Sequence, residues 1–324
     1  KLALAKSDAG AWQLNGSNTY TGTTTLSAGT LIANNAAALG NGGDITFGGG
    51  TLQYTLASAG QDWGARFKNT VAGGILLNTS NNDVTLAGVI DASNTAGLTK
   101  SGGGTLTLSG ANTYTGVTTI GGTVMSILRL NSASALGGGG NITFTGGRLQ
   151  YTTNNTVDYS ARIVGSSGAI TIDTNGQNVS FGSVLAASNT NGLNKLGTGD
   201  LTFGGNISHF YTGNTSLNGG RLILDNTGTG NNNANRITDG SNLTLNNGTF
   251  VYKGSDQAAT DSSETVGGIN VGVGTLTVAF SGTNTVTLTG ANLGQSNRGS
   301  FLVNGTNLGM DTASTASVGR LKIT

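Results

Sequence analysis

Catalysis in this chain would have to come from its carboxylates. Fourteen residues are acidic, there is one histidine (His209), and there is no cysteine. Cleaving a glycoside takes a paired acid and base. The acids here are scattered from Asp8 to Asp311. Asp83 falls opposite Asn178 in the next repeat, so that acid is not part of the repeating pattern. Asp256, Asp261 and Glu264 form the one local cluster, within DQAATDSSE. A calcium loop would place oxygen ligands at alternate positions around a turn glycine. This stretch has neither feature and reads as an exposed insertion. His209 lies in NISHF with no acid beside it and reads as a loop residue. The runs Gly102–Gly104 and Gly137–Gly140 lack the Lys-Ser/Thr of a phosphate loop. The remaining acids read as solvated surface groups. No catalytic, metal or cofactor-binding residue is assigned, and no cofactor is expected.

Three side-chain sets recur in step. Lys6, Lys100 and Lys195 are spaced by 94 and 95 residues. Such lysines suit charged gatekeepers beside sticky strands, with a basic column for an acidic glycan as the alternative. Tyr20, Tyr114 and Tyr211 are either an exposed row on which sugars stack or aromatics packed at corners and in the core. Asn94, Asn112, Asn131 and Asn189 sit in turn contexts and could bond along an axis as ladders. The net charge is +1 and no basic patch stands out, which argues against nucleic acid as a partner.

The elements that would carry these residues are short strands. TLTLSG, NITFTG, GRLQY and DLTFGG alternate apolar with small polar residues, the pattern of a half-buried strand. Glycine pairs and Asn-Gly steps separate them and supply turn conformations. Charged residues are 9% and proline is absent. Proline cannot donate to a strand ladder, so a chain made of interior strands excludes it. KSDAGAWQLNGSNTYTG at 6–22 returns as KSGGGTLTLSGANTYTG at 100–116 and KLGTGDLTFGGNISHFYTG at 195–213. Similar units stack best on one another and bury equivalent residues in columns. The expected fold is all-β, a right-handed parallel β-helix built from imperfect repeats of about 95 residues, with coils of about 19 to 24 residues and about fifteen coils in total. The domain reading is a single elongated solenoid over 1–324. Its units span approximately 1–94, 95–190 and 191–290, with divergent strands at 291–324. Leu106, Leu108, Ile142, Phe144, Leu149, Leu201 and Phe203 should point inward.

The stretch GTLTLSGANTYTGVTTI resembles the autotransporter-associated β-strand repeat, also called the passenger-associated transport repeat. Gly104, Leu106, Leu108, Gly110, Asn112, Tyr114 and Gly116 carry the resemblance, with Tyr20 and Tyr211 as the matching tyrosines. The resemblance implies a β-helical passenger secreted to the bacterial cell surface. A structural or adhesive fibre segment without catalytic activity is therefore expected, with a polysaccharide-binding or polysaccharide-degrading β-helix as the alternative. The opening KLALAKSDAG has no long apolar core and starts inside the repeat, and GRLKIT at the other end reads as a strand. Expected partners are accordingly other copies stacked end to end, or the continuation of a longer chain, with glycan or cell-surface contact besides.

Overall fold

Leu106 and Leu108 alternate with Thr105 and Thr107, and in the computed structural model this run is the strand Gly104–Leu108. Both leucines are fully buried. So short a strand is stable only between neighbours. Leu106 pairs in parallel with Val84 on one coil and Leu128 on the next, each 22 residues away. The structure describes residues 1–70, 72–279, 284–295, 301–304 and 318–324. It is all-β with 2% helix, and its parallel strands wind as a β-solenoid, about 12 turns in all. The chain forms two compact units, Lys1–Asn155 and Thr156–Thr324.

The first unit opens with two stacks, one built on Leu4–Lys6 and one on Ala11–Leu14. After the strand Thr51–Tyr54 the chain detours through a 3-10 turn at Gly64–Arg66. Arg66 donates to the carbonyls of Gly43 and Leu39, at 2.7 Å each, and so ties the detour to an earlier coil. The next strand, Ile75–Asn78, then stacks directly on Thr51–Tyr54. One inward column of this stack reads Leu31, Leu52, Leu77, Lys100, Ile120 and Phe144. Ile142 and Leu149 are also fully buried, as the alternation requires. Outward, Thr99, Thr119 and Thr143 stand in register on three coils. Thr105 and Thr107, which alternate with Leu106 and Leu108, are only 4% and 9% exposed. Ladder neighbours on both coils flank Thr107, Thr85 on one side and Arg129 on the other, and Ile127 stands beside Thr105.

The second unit keeps two strand tracks until they fuse. Ile170–Asp173, Leu193–Leu196 and Thr215–Leu217 form one. Val179–Phe181, Asp200–Phe203 and Arg221–Asp225 form the other. The single strand Leu243–Lys253 then pairs with both tracks, its register shifting around Asn246. Leu222 pairs with Phe250, 28 residues on, because a long loop precedes the fused strand. The solenoid has about 12 turns where about fifteen were expected. Leu201 and Phe203 are fully buried. One inward column here reads Ile172, Lys195, Leu217, Leu245 and Val271.

Leu108→Ala should lower unfolding free energy by about 2–5 kcal/mol in denaturant titration, because a buried leucine leaves a cavity. Thr119→Ala, on the outward face of a neighbouring strand, should cost less than about 0.5 kcal/mol. A Leu108 effect as small as that of Thr119 would mean that the strand's two faces are exchanged.

Candidate functional site

The recurring lysines are inside the protein. Lys6, Lys100 and Lys195 are all fully buried, which corrects both the gatekeeper and the basic-column readings. The four-carbon stem fills an aliphatic column, and the ammonium reaches sideways to the corner that ends its own strand. Lys100 Nζ donates to the carbonyls of Ser101 (3.0 Å) and Gly102 (2.8 Å) and to Ser126 Oγ (2.9 Å) of the next coil. Lys195 Nζ repeats this with the carbonyls of Leu196 (2.9 Å), Gly197 (2.8 Å) and Gly219 (3.2 Å). Lys6 Nζ bonds the carbonyl and carboxylate of Asp8 and, at 3.3 Å, the Ala28 carbonyl. A buried ammonium is costly unless it is hydrogen-bonded, and a tight corner leaves carbonyls in need of donors. Each requirement meets the other. Burial pushes the Lys100 and Lys195 ammonium groups down to about 8.

The other anchors close the same coils. Gly104 has φ +73, and a Cβ there would lie 2.3 Å from the Asn82 carbonyl of the adjacent coil. Gly116 has no room either, since a Cβ would meet Gly97 N at 2.2 Å. At Gly110 the nearest atom, the Gly88 carbonyl oxygen, is 2.9 Å away. Tyr114 and Tyr211 are fully buried, and their hydroxyls bond Thr118 and Thr215 at 2.8 and 2.7 Å. Tyr20 is half-buried and makes the same bond to Thr24. There is no exposed tyrosine row.

Asn112 is buried; its Oδ1 accepts from Ile90 N and its Nδ2 donates to the Ala135 carbonyl, both at 2.8 Å. The Asn94 and Asn189 side chains each tie to the preceding coil alone, accepting from Thr70 N and Ser166 N and donating to the Phe67 and Ile163 carbonyls. Asn131 is half-buried and joins Ser109 to Asn154. His209, two residues before Tyr211, stands where Asn112 stands before Tyr114. It lies in the loop between Asp200–Phe203 and Thr215–Leu217, as expected, and is fully buried there. Its Nδ1 accepts from Leu185 N at 3.2 Å, and its ring lies 3.9 Å from that of Phe203. Burial and the nearby Arg236 charge drive His209 down to about 3.

Several acids are clips between coils. Asp62 Oδ2 accepts from Ala87 N and Gly88 N at 2.8 and 2.7 Å, and Asp158 Oδ2 accepts from Gly182 N at 2.7 Å. These two belong to a recurrence, DWGAR at 62–66 and DYSAR at 158–162, that the longer repeats hide. Asp83 and its counterpart Asn178 perform one task, accepting from Thr105 N and Asp200 N. In the cluster read as an exposed insertion, Asp256 and Asp261 are indeed exposed in a loop, while Glu264 is not. Asp256 accepts from Gly228 N and Asp261 from Thr285 N. Glu264 is buried and accepts from Arg236 N and Ile237 N at 2.9 and 3.0 Å. Desolvation raises Glu264 to about 7. Among the described residues no three His, Asp or Glu side chains gather as a metal site would need.

The passenger-associated transport repeat matches this chain at residues 4–33, 98–124 and 193–224, the three segments that carry the buried lysines. The Adhesin BmaC autotransporter of Brucella suis biovar 1 (strain 1330) is 33% identical over 237 residues, 67% of this chain. The chain spans about 7% of that relative's length. No solved structure matches it. A parallel solenoid that repeats its polar anchors at corners and coil junctions is a passenger-type scaffold. The chain belongs to the family built on the passenger-associated transport repeat.

Two pH effects follow from the buried bases. The native chain releases the Lys100 and Lys195 protons near pH 8, and the unfolded chain near 10.5. The unfolded state therefore binds more protons in between, and stability should rise from pH 8 toward 10. Above 10 the buried tyrosines, raised by desolvation, oppose the trend. Denaturant midpoints at pH 8, 9 and 10 should climb in the natural protein and stay flat in the Lys100→Met, Lys195→Met double variant. His209 acts on the acid side, because the native state resists its protonation until about 3 while the unfolded chain takes the proton near 6.5. Stability is lost as pH falls through that window, and His209→Asn should make the loss smaller. Identical acid limbs in the two proteins would contradict the assignment.

Proposed function

We propose that this chain is a non-catalytic, adhesive passenger segment, carried outside the bacterial cell at its surface as part of a fibre. The observation that carries the reading is the similarity to an autotransporter adhesin over 237 residues, joined to the three passenger repeats. The side-chain chemistry supports it. Several carboxylates, among them Asp62, Asp158 and Glu264, accept backbone amides of neighbouring coils, and others pair with in-register cations. The Asp200–Arg221 and Asp225–Lys253 pairs are examples of the latter. Continuation of the solenoid in a longer chain, or end-to-end association of copies, belongs to the same reading.

Display of residues 1–324 on a non-adherent bacterium should confer adherence to cultured cells or to an extracellular matrix, severalfold above the empty carrier. The purified chain, incubated with plant, algal and bacterial polysaccharides, should release neither new reducing ends nor unsaturated products. Turnover abolished by a single Asp→Asn change would replace the adhesive reading with a degradative one.

A further inference from the structure

The third repeat departs from the second in one surface patch. In the second unit, Asn191, Asn194, Asn214, Ser216 and Asn218 face an open depression of about 370 Å³. Leu193 pairs with Thr215 as Leu98 pairs with Thr118, so the two repeats correspond position by position. Where the third repeat has Asn191, Asn194, Asn214 and Asn218, the second has Ala96, Thr99, Val117 and Gly121. The scaffold is common to both, and four amides are confined to one of them. Two are held in place: Asn218 Nδ2 donates to Asn194 Oδ1, and Asn191 Nδ2 to the Ser167 carbonyl. Among the described residues, Asn194 Nδ2, Asn218 Oδ1, the Asn214 amide and Ser216 Oγ make no further bond within the chain. No charged and no aromatic side chain lines the depression.

We propose that this depression binds a neutral glycan. A primary amide presents two donors and an acceptor, and a hydroxyl both donates and accepts. Oriented amides on successive coils therefore match the adjacent hydroxyls of a sugar ring. With no lining charge, neither an ionised ligand nor a metal gains an electrostatic partner here. The volume lies within the usual size of small-ligand sites. The proposal rests on the adhesive reading and adds to it the place and the chemical class of the contact.

The test is retention of the purified chain on immobilised glucose-, galactose- and mannose-based hexasaccharides, with heparin and polygalacturonate as charged probes. The variant N191A/N194T/N214V/N218G installs the second repeat's residues and should melt like the natural protein. The natural chain should be retained on at least one neutral series, and the variant should lose about tenfold or more of that affinity, since several hydrogen bonds go at once. Asn214→Val alone alters one exposed side chain and should lose about threefold or more, which keeps the test decisive if the fourfold variant misfolds. Retention on charged probes only, on none, or to the same extent in both variants would overturn the site. Adherence of displaying cells without any neutral-glycan retention would overturn this site and leave the adhesive reading standing. Loss of both would overturn both.

Discussion

Each repeat inserts one lysine into a core column that is otherwise apolar, and the corner beside it is built around that ammonium. In the first unit Lys100 stands between Leu77 and Ile120. In the second, Lys195 stands between Ile172 and Leu217. A leucine would fill the same column, but it would leave the corner carbonyls of Ser101 and Gly102 without the ammonium as donor. A lysine without that corner would be a buried charge with nothing to bond. The two features stabilise the fold only together, which explains why the lysine recurs at the repeat period while most other charges do not.

The same economy governs the remaining polar side chains. Stacked coils bury backbone groups at every turn, and unpaired buried amides are expensive. Asn112, Asn94 and Asn189 bridge coils from inside. Asp62, Asp158 and Glu264 do so with carboxylates. These six side chains are thus committed to holding coils together. The outward residues of the strands are free to vary without disturbing the columns. The amide-lined depression of the third repeat shows such variation on an otherwise shared framework.

Much of the architecture was legible in the residues. Period-two alternation placed Leu106, Phe144 and Leu201 inside, and the spacing of the repeats implied stacked coils. The legible part was what periodicity encodes. The lysines were misplaced because charge ordinarily means exposure. Only the corner geometry shows that Lys100 has three partners within reach. The loop position of His209 was legible in NISHF, but its burial was not; aligning on Tyr211 puts it in the asparagine position. In the acid cluster, the exposure of Asp256 and Asp261 was legible and the burial of Glu264 was not. Asp256, Asp261 and Glu264 are near in sequence, but each bonds a different segment more than 20 residues away. The DWGAR and DYSAR recurrence was visible in the letters, and its meaning, a clip to the next coil, needed three dimensions.

The buried ammonium is the most direct point of attack. Amine-selective acetylation under native conditions, read by peptide mass spectrometry, separates the two kinds of lysine. Lys1, Lys68 and Lys253 are at least partly exposed and should react. Lys100 and Lys195 should stay unmodified until the protein is unfolded, and then react like the others. Native modification of Lys100 and Lys195 at the rate of Lys68 would contradict the account, since it would place these lysines at the surface and leave the corners without their donors.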